Sequence, residues 1–230
     1  MTSQPARGPQ TTDEPSPVFD AGAEFDRQLR TLVDLGYPTL ARMSVQAFVD
    51  RVRPLRQHMV ARQPGMASPT HGRVTFVIVV TKRLAPAECT MPMTSHGTKQ
   101  GFVSGDTADV HRFEPIEAVH LPKDDVYVAL DLERGDQYRN WSADEALVAI
   151  VERARTPITV DEGIALLTHV PAVLERNHCF MLVASRCGDR RVPALWISKG
   201  APKLGWCWAG NRHTWLGHAS CGGRVGASTG

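Results

Sequence analysis

The chain predicts an α+β protein, a single domain in which helices pack on a mixed or antiparallel sheet. Apolar residues recur at helical spacing in the first quarter of the folded region. Two β-branched runs, residues 74–80 and 126–132, read as strands. The last third returns to short apolar runs broken by Gly, Pro and Asp turns. Helices and strands therefore come in blocks, the pattern of a segregated α+β domain rather than of a regular βαβ repeat.

Residues 1–20 contain four prolines and, between Met1 and Val18, no large apolar residue. Such a stretch cannot bury enough surface to offset its ordering entropy and reads as a disordered tail before a domain at 21–226. Phe25, Leu29, Leu32 and Val33 predict a helix near 22–35, stopped by Gly36 and Pro38. Ser44 is the expected N-cap of a second helix with Val45, Phe48, Val49 and Val52 on one face, and Pro54 should kink or end it. Residues 61–72 read as a loop, and 74–80 as a strand buried on both faces. Seven prolines and glycines across 84–122 predict short strands and loops. The strand at 126–132 ends in a polar turn at 133–136.

Two helices follow, each announced by a capping box: Ser142-Ala-Asp-Glu145 and Thr159-Val-Asp-Glu162. Beyond Pro171 the chain reads as β. A strand at 180–184, a turn at Cys187-Gly-Asp189, a return strand at 192–197, a second turn at Gly200-Ala-Pro202 and a strand at 204–208 make a basic hairpin section within 177–221. Four glycines between 222 and 230 predict a frayed end.

The 230 residues are 42% hydrophobic and 22% charged, with mean hydropathy −0.22, which excludes a fibre, a coiled coil and a wholly disordered chain. No apolar run approaches the roughly 20 residues of a membrane span, and the N-terminus has no charged-then-apolar leader. Five cysteines, an odd number without framework spacing, read as reduced thiols in a cytoplasmic protein. The net charge of +2 is a sum of unlike parts. Residues 176–230 carry +7, four of the five tryptophans and four of the five cysteines, while residues 1–175 carry −5.

The chemistry is therefore expected at the C-terminal hairpins. Arg186, Arg190 and Lys203 lie near the two turns, where cations could converge on a phosphate or carboxylate. Trp206 and Trp208, two apart on a strand, share a face and can stack a ring, with His213 as proton carrier. The expected function is binding, with or without turnover, of a small anionic or polar metabolite. The competing reading is a module that binds nucleic acid or protein without catalysis, since tryptophans among cations also stack bases. Cys187 beside Arg186 and Arg190, with His178 or His213 as base, is the candidate nucleophile, but no cysteine-hydrolase signature surrounds it. Asp131, Glu133 and Asp136, at a strand end, are candidate general bases, though Gly135 explains the turn structurally. Cys207, His213, His218 and Cys221 have the residue types for zinc, but their spacing lacks two tight pairs. That pattern reads rather as core cysteines with surface histidines, so zinc is not the favoured cofactor. Dinucleotide-binding and P-loop glycine spacings are absent.

The words Asn177-His-Cys-Phe-Met-Leu182, Ala201-Pro-Lys-Leu-Gly-Trp-Cys-Trp208 and His213-Thr-Trp-Leu-Gly217, with the intervening run from Ser185 to Ser198, resemble a family of uncharacterised actinobacterial proteins. The likeness extends back through Asp161-Glu-Gly163 and Gly135-Asp136 to Phe25-Asp-Arg-Gln28. It implies one cytosolic domain across the charge seam, and no activity, cofactor or catalytic residue.

Overall fold

A computed structural model describes residues 19–228. The tail expected at 1–20 falls outside these residues except for its last two, which belong to the fold. Asp20 accepts the Ala23 N–H at 2.9 Å and so caps α1 (Ala21–Asp34), and Phe19 meets Phe76 edge-on.

Gly36, at φ +88°, turns the chain into the short α2 (Tyr37–Leu40), and Ser44 caps α3 (Val45–Val52) by accepting the Ala47 N–H. α3 ends just ahead of Pro54, as expected. Pro54 opens a separate helix, α4 (Pro54–Arg62), at the position where a missing N–H costs no hydrogen bond. After β1 (Arg73–Val80) comes α5 (Ala87–Thr90), then a run of short pieces: β2 (Ser95–His96), β3 (Lys99–Gln100), β4 (Phe102–Val103) and β5 (Glu114–Pro115). Next are β6 (Val126–Glu133), α6 (Ala143–Glu152), β7 (Thr156–Pro157) and α7 (Val160–His169), and both predicted capping boxes are formed. The chain closes with β8 (Cys179–Met181), β9 (Ser185–Arg186), β10 (Arg191–Ser198), β11 (Ala201–Trp208), β12 (Leu216–His218), β13 (Ser220–Cys221) and β14 (Gly223–Gly226).

Two five-stranded sheets result. The first runs β1-β6-β13-β7, with β14 also on β6, and the second runs β12-β8-β10-β11-β4. The first is antiparallel throughout; the second mixes antiparallel β8–β10–β11 with parallel β12–β8 and β11–β4. This is the α+β class that the sequence predicts. Three local expectations are corrected. The hairpin turn lies at Lys199–Gly200, both left-handed (φ +53° and +83°), so Pro202 falls inside β11. The segment after β8 is not a simple hairpin arm, because β9 leaves to pair with β5. The glycines from 223 to 226 do not fray: they form β14, in register with Tyr127 to Leu130 of β6. No helix among the described residues is long and apolar enough to cross a membrane.

The strand at β1 is buried on both faces. Phe76, Ile78 and Val80 face α1–α4 with Phe25, Phe48, Leu55 and Met59, while Val77 and Val79 face α6, α7 and the second sheet. In this second layer α7 is enclosed: every residue from Glu162 to His169 is buried. Gly163 permits this, since a Cβ there would lie 2.4 Å from a methyl of Leu182 on the strand side.

One ion pair fixes the start of α7. Glu162, with no exposed surface, closes the capping box by accepting the Thr159 N–H at 2.8 Å. Its carboxylate also accepts from the Tyr127 hydroxyl at 2.9 Å and from Arg224 of β14 through both Nε and Nη2. Arg224 further donates to Thr156 Oγ1 and the Pro157 carbonyl. Desolvation works against the guanidinium charge, but Glu162 outweighs it and holds Arg224 above its ordinary pKa. Arg224→Met would strip the partner from a buried carboxylate, an effect of about 3–5 kcal/mol. Urea denaturation should show a loss of that order, and a loss below about 1 kcal/mol would contradict this role for the pair.

Candidate functional site

The register of β10 on β11 decides which C-terminal side chains meet. Arg191 opposes Trp208, Pro193 opposes Trp206, and Trp196 opposes Lys203. Directly opposed residues share a face and successive ones alternate. Trp206 and Trp208 therefore lie together, with ring centroids 4.7 Å apart, while Lys203 lies on the other face. The cation beside the tryptophan pair is Arg191, 5.6 Å over both Trp206 and Phe113. Asp109 and Asp189 take its hydrogen bonds and hold it above its ordinary pKa, so its charge is already matched. Arg190 is exposed and reaches toward Gly210. Arg186 turns inward to the Val183 and Ser185 carbonyls, and desolvation lowers its pKa. The six residues expected to bind ligand are thus divided between faces.

The side chains weighed as a nucleophile and as zinc ligands are not gathered into one centre. Cys187 is buried and donates to Asp189 at 3.2 Å; desolvation and that carboxylate push its pKa up, the reverse of what a thiolate nucleophile needs. Cys207 is on β11 of one sheet and Cys221 on β13 of the other. Among the described residues no three His, Cys, Asp or Glu side chains gather as metal ligands.

What the fold does assemble is a row on the Lys203 face. The Lys203 ammonium stands 5.0 Å over the Trp196 ring, Trp196 meets Trp215 at 6.4 Å, and Trp215 meets His213 at 5.3 Å. Gly205 allows it: a Cβ there would come within 2.2 Å of the Trp196 ring, which instead lies across β11. Trp196 and Trp215 wall a cleft of about 450 Å³ whose rim carries Arg176, Asn177 and Lys199. A 2.6 Å hydrogen bond from Lys99 Nζ to the Lys199 carbonyl braces the turn at that rim. No carboxylate lines the cleft, and among the described residues Arg176, Lys199 and Lys203 have no acidic partner. Lys203 and His213 are identified in the sequence as a cation near a turn and as a proton carrier, and strand alternation does not reach Trp215. It missed Trp196 and Trp215 as a pair because 215 lies beyond β11, outside any strand.

A second polar cluster joins residues distant in the chain. Arg134, 1% exposed, donates to both Asp136 oxygens (3.0 and 2.7 Å), to Glu175 (3.0 Å) and to the Val173 carbonyl (2.8 Å). Desolvation opposes its charge, and the two carboxylates more than compensate. His178 Nδ1 lies 3.0 Å from Asp136, and His71 Nε2 lies 2.8 Å from Glu175. Asp136 and His178 were both candidates on chemistry alone, for separate sites, and folding brings them together. Every charge in this cluster is matched, and no hydroxyl or thiol bonds to His178 among the described residues. It ties the 70–73 turn to the end of β6 and to the segment before β8.

Fold and cleft together define an α+β protein built on two five-stranded sheets, with a cationic, tryptophan-walled groove. A family model described as a family of unknown function, DUF5701, matches residues 31–227, and the chain belongs to that family. No curated protein and no solved structure matches it.

Buried histidines set an acid response. Desolvation pushes His169 and His218 down to about 4, whereas desolvation raises Asp161 to about 6. Between pH 6 and 5 the unfolded chain binds protons at both histidines that the folded chain refuses, while the folded chain gains one at Asp161. The unfolded state thus holds about one more proton, and stability falls by about 1.4 kcal/mol per pH unit of acidification. Urea titrations at pH 6.0, 5.5 and 5.0 check the slope, and a flat or inverted profile would refute it.

Proposed function

We propose that the protein binds a small anionic molecule carrying a flat ring in the Trp196–Trp215 groove, within the reducing cytoplasm of an actinobacterial cell. The observation that carries this reading is the conjunction of two tryptophan walls with two rim cations, Arg176 and Lys199, that have no carboxylate partner. A ring stacked on indole removes apolar surface from water, and unmatched cations at the rim attract a phosphate or carboxylate. The volume is that of a site for one small molecule. His213, whose pKa burial lowers, is neutral at pH 7 and is the member of the row able to take up a proton during turnover. The five unpaired thiols fit a reducing compartment.

The test is calorimetric titration with nucleoside monophosphates and aromatic carboxylates, and with a thymidine dodecamer, at low and high salt. At least one small anion should bind, and Trp196→Ala or Lys199→Ala should weaken it tenfold or more, about 1.4 kcal/mol. Binding confined to the oligonucleotide, falling steeply with salt, would replace this reading with a single-strand nucleic-acid module. Binding of neither class would remove both.

A further inference from the structure

The turn that brings Arg176 and Asn177 to the groove is tied down on both flanks. Glu175 and His178 face each other across it: the His178 N–H donates to the Glu175 carbonyl at 3.0 Å, and the Glu175 N–H returns the bond at 3.4 Å. Arg176 and Asn177, the two residues between, are exposed and line the groove. Asn177 adopts the left-handed conformation at φ +63°, and Arg139 donates to its carbonyl at 3.3 Å. Cys179, next along, donates its N–H to the Trp215 carbonyl at 3.1 Å, so the turn is joined to the tryptophan wall.

The side chains of the two flanking residues enter the Arg134 cluster. Arg134 Nη1 donates to Glu175 Oε1 at 3.0 Å and to the Val173 carbonyl at 2.8 Å. His178 Nδ1 lies 3.0 Å from Asp136 Oδ2 and 3.2 Å from Arg134 Nη2. Arg134 itself is 1% exposed, and its N–H donates to the Gly72 carbonyl at 2.8 Å, so the anchor belongs to the core. An exposed arginine on a loose turn would have to be ordered by its ligand. A turn ordered in advance leaves that loss of entropy out of the binding step.

We propose, resting on the groove reading above, that Arg134 is a positioning residue for the groove: through Glu175 and His178 it presets the 175–178 turn so that Arg176 meets an incoming anion. Charge alone predicts the opposite sign. Glu175 is an acid beside the rim, and by Coulomb attraction its removal should strengthen anion binding. Positioning requires weaker binding once the bond to Arg134 is lost.

Two substitutions separate these effects. Glu175→Ala removes charge and bond together, while Asp136 and the Val173 carbonyl still hold Arg134. Glu175→Gln removes the charge and keeps an oxygen for Arg134. Without ligand, hydrogen exchange read by mass spectrometry should be at least tenfold faster over residues 174–179 in Glu175→Ala, near normal in Glu175→Gln, and unchanged over β10 and β11 in both. In calorimetric titration with adenosine monophosphate and with indole-3-carboxylate, Glu175→Ala should weaken the tighter of the two about three- to tenfold, and Glu175→Gln should not. In an Arg176→Ala background Glu175→Ala should add no further loss. Unchanged exchange, affinity unchanged or raised in Glu175→Ala, a loss in Glu175→Gln as large as in Glu175→Ala, or full additivity with Arg176→Ala would each overturn the assignment and leave the groove standing. If neither anion binds the unmodified protein, the groove reading and this assignment fall together.

Discussion

The buried carboxylate of Glu162 is the constraint on which the rest of the structure rests. A carboxylate without solvent is tolerated only when every lone pair is met by a donor, ideally a charged one. Tyr127 from β6, Arg224 from β14 and the Thr159 amide meet these requirements at once. The consequence is geometric. The N-terminus of α7 is tied to the middle of the first sheet, and ten residues of helix, about 15 Å, then carry that placement across the core. At one side Gly163 lets the second sheet close on the helix, and at the far end His169 is delivered under β1. The tryptophan groove thus inherits its position from a single pinned helix.

Charge is spent unevenly over the molecule. Around Arg134, Arg224 and Arg191 each guanidinium is matched by carboxylates, and these arginines act as internal ties between segments far apart in the chain. At Arg176, Lys199 and Lys203 no acid has been provided, although the body carries an excess of them. The −5 body and the +7 end do attract and pack together: Arg224 meets Glu162, Arg191 meets Asp109, and Arg212 meets Glu145. Arg186 and Arg190 are left without an acid as well; what distinguishes the groove is that its two unpaired rim cations, Arg176 and Lys199, flank a tryptophan wall.

Local signals were legible. The capping boxes at Ser142 and Thr159, the N-cap at Ser44 and the two β-branched strands are properties of short windows, in which side chain and backbone partner lie within four residues. The β14 strand was not, because four residues that include two glycines have no intrinsic preference for a strand. It forms since β6 offers an unpaired edge and Arg224 an anchor. Pro54 marked the end of α3 correctly, and the same ring that ends one helix also starts the next. At the site, alternation placed Trp206 and Trp208 on one face. It said nothing of the segment 106–109, whose Asp106 carbonyl takes the Trp206 N–H and whose Asp109 carboxylate takes Arg191.

By itself, then, the sequence determined the class of fold, the helix starts, and the concentration of tryptophan and positive charge in the last quarter of the chain. These follow from propensity, periodicity and composition, which act over a few residues or over none. Only the tertiary structure decided which cations remain unmatched, that Trp196 meets Trp215 rather than Trp206 forming the wall, and that His169 is buried with its Nδ1 lacking a hydrogen-bond partner. Each of these depends on a partner tens of residues away, and pairings of that range are set by register and by the closure of the core.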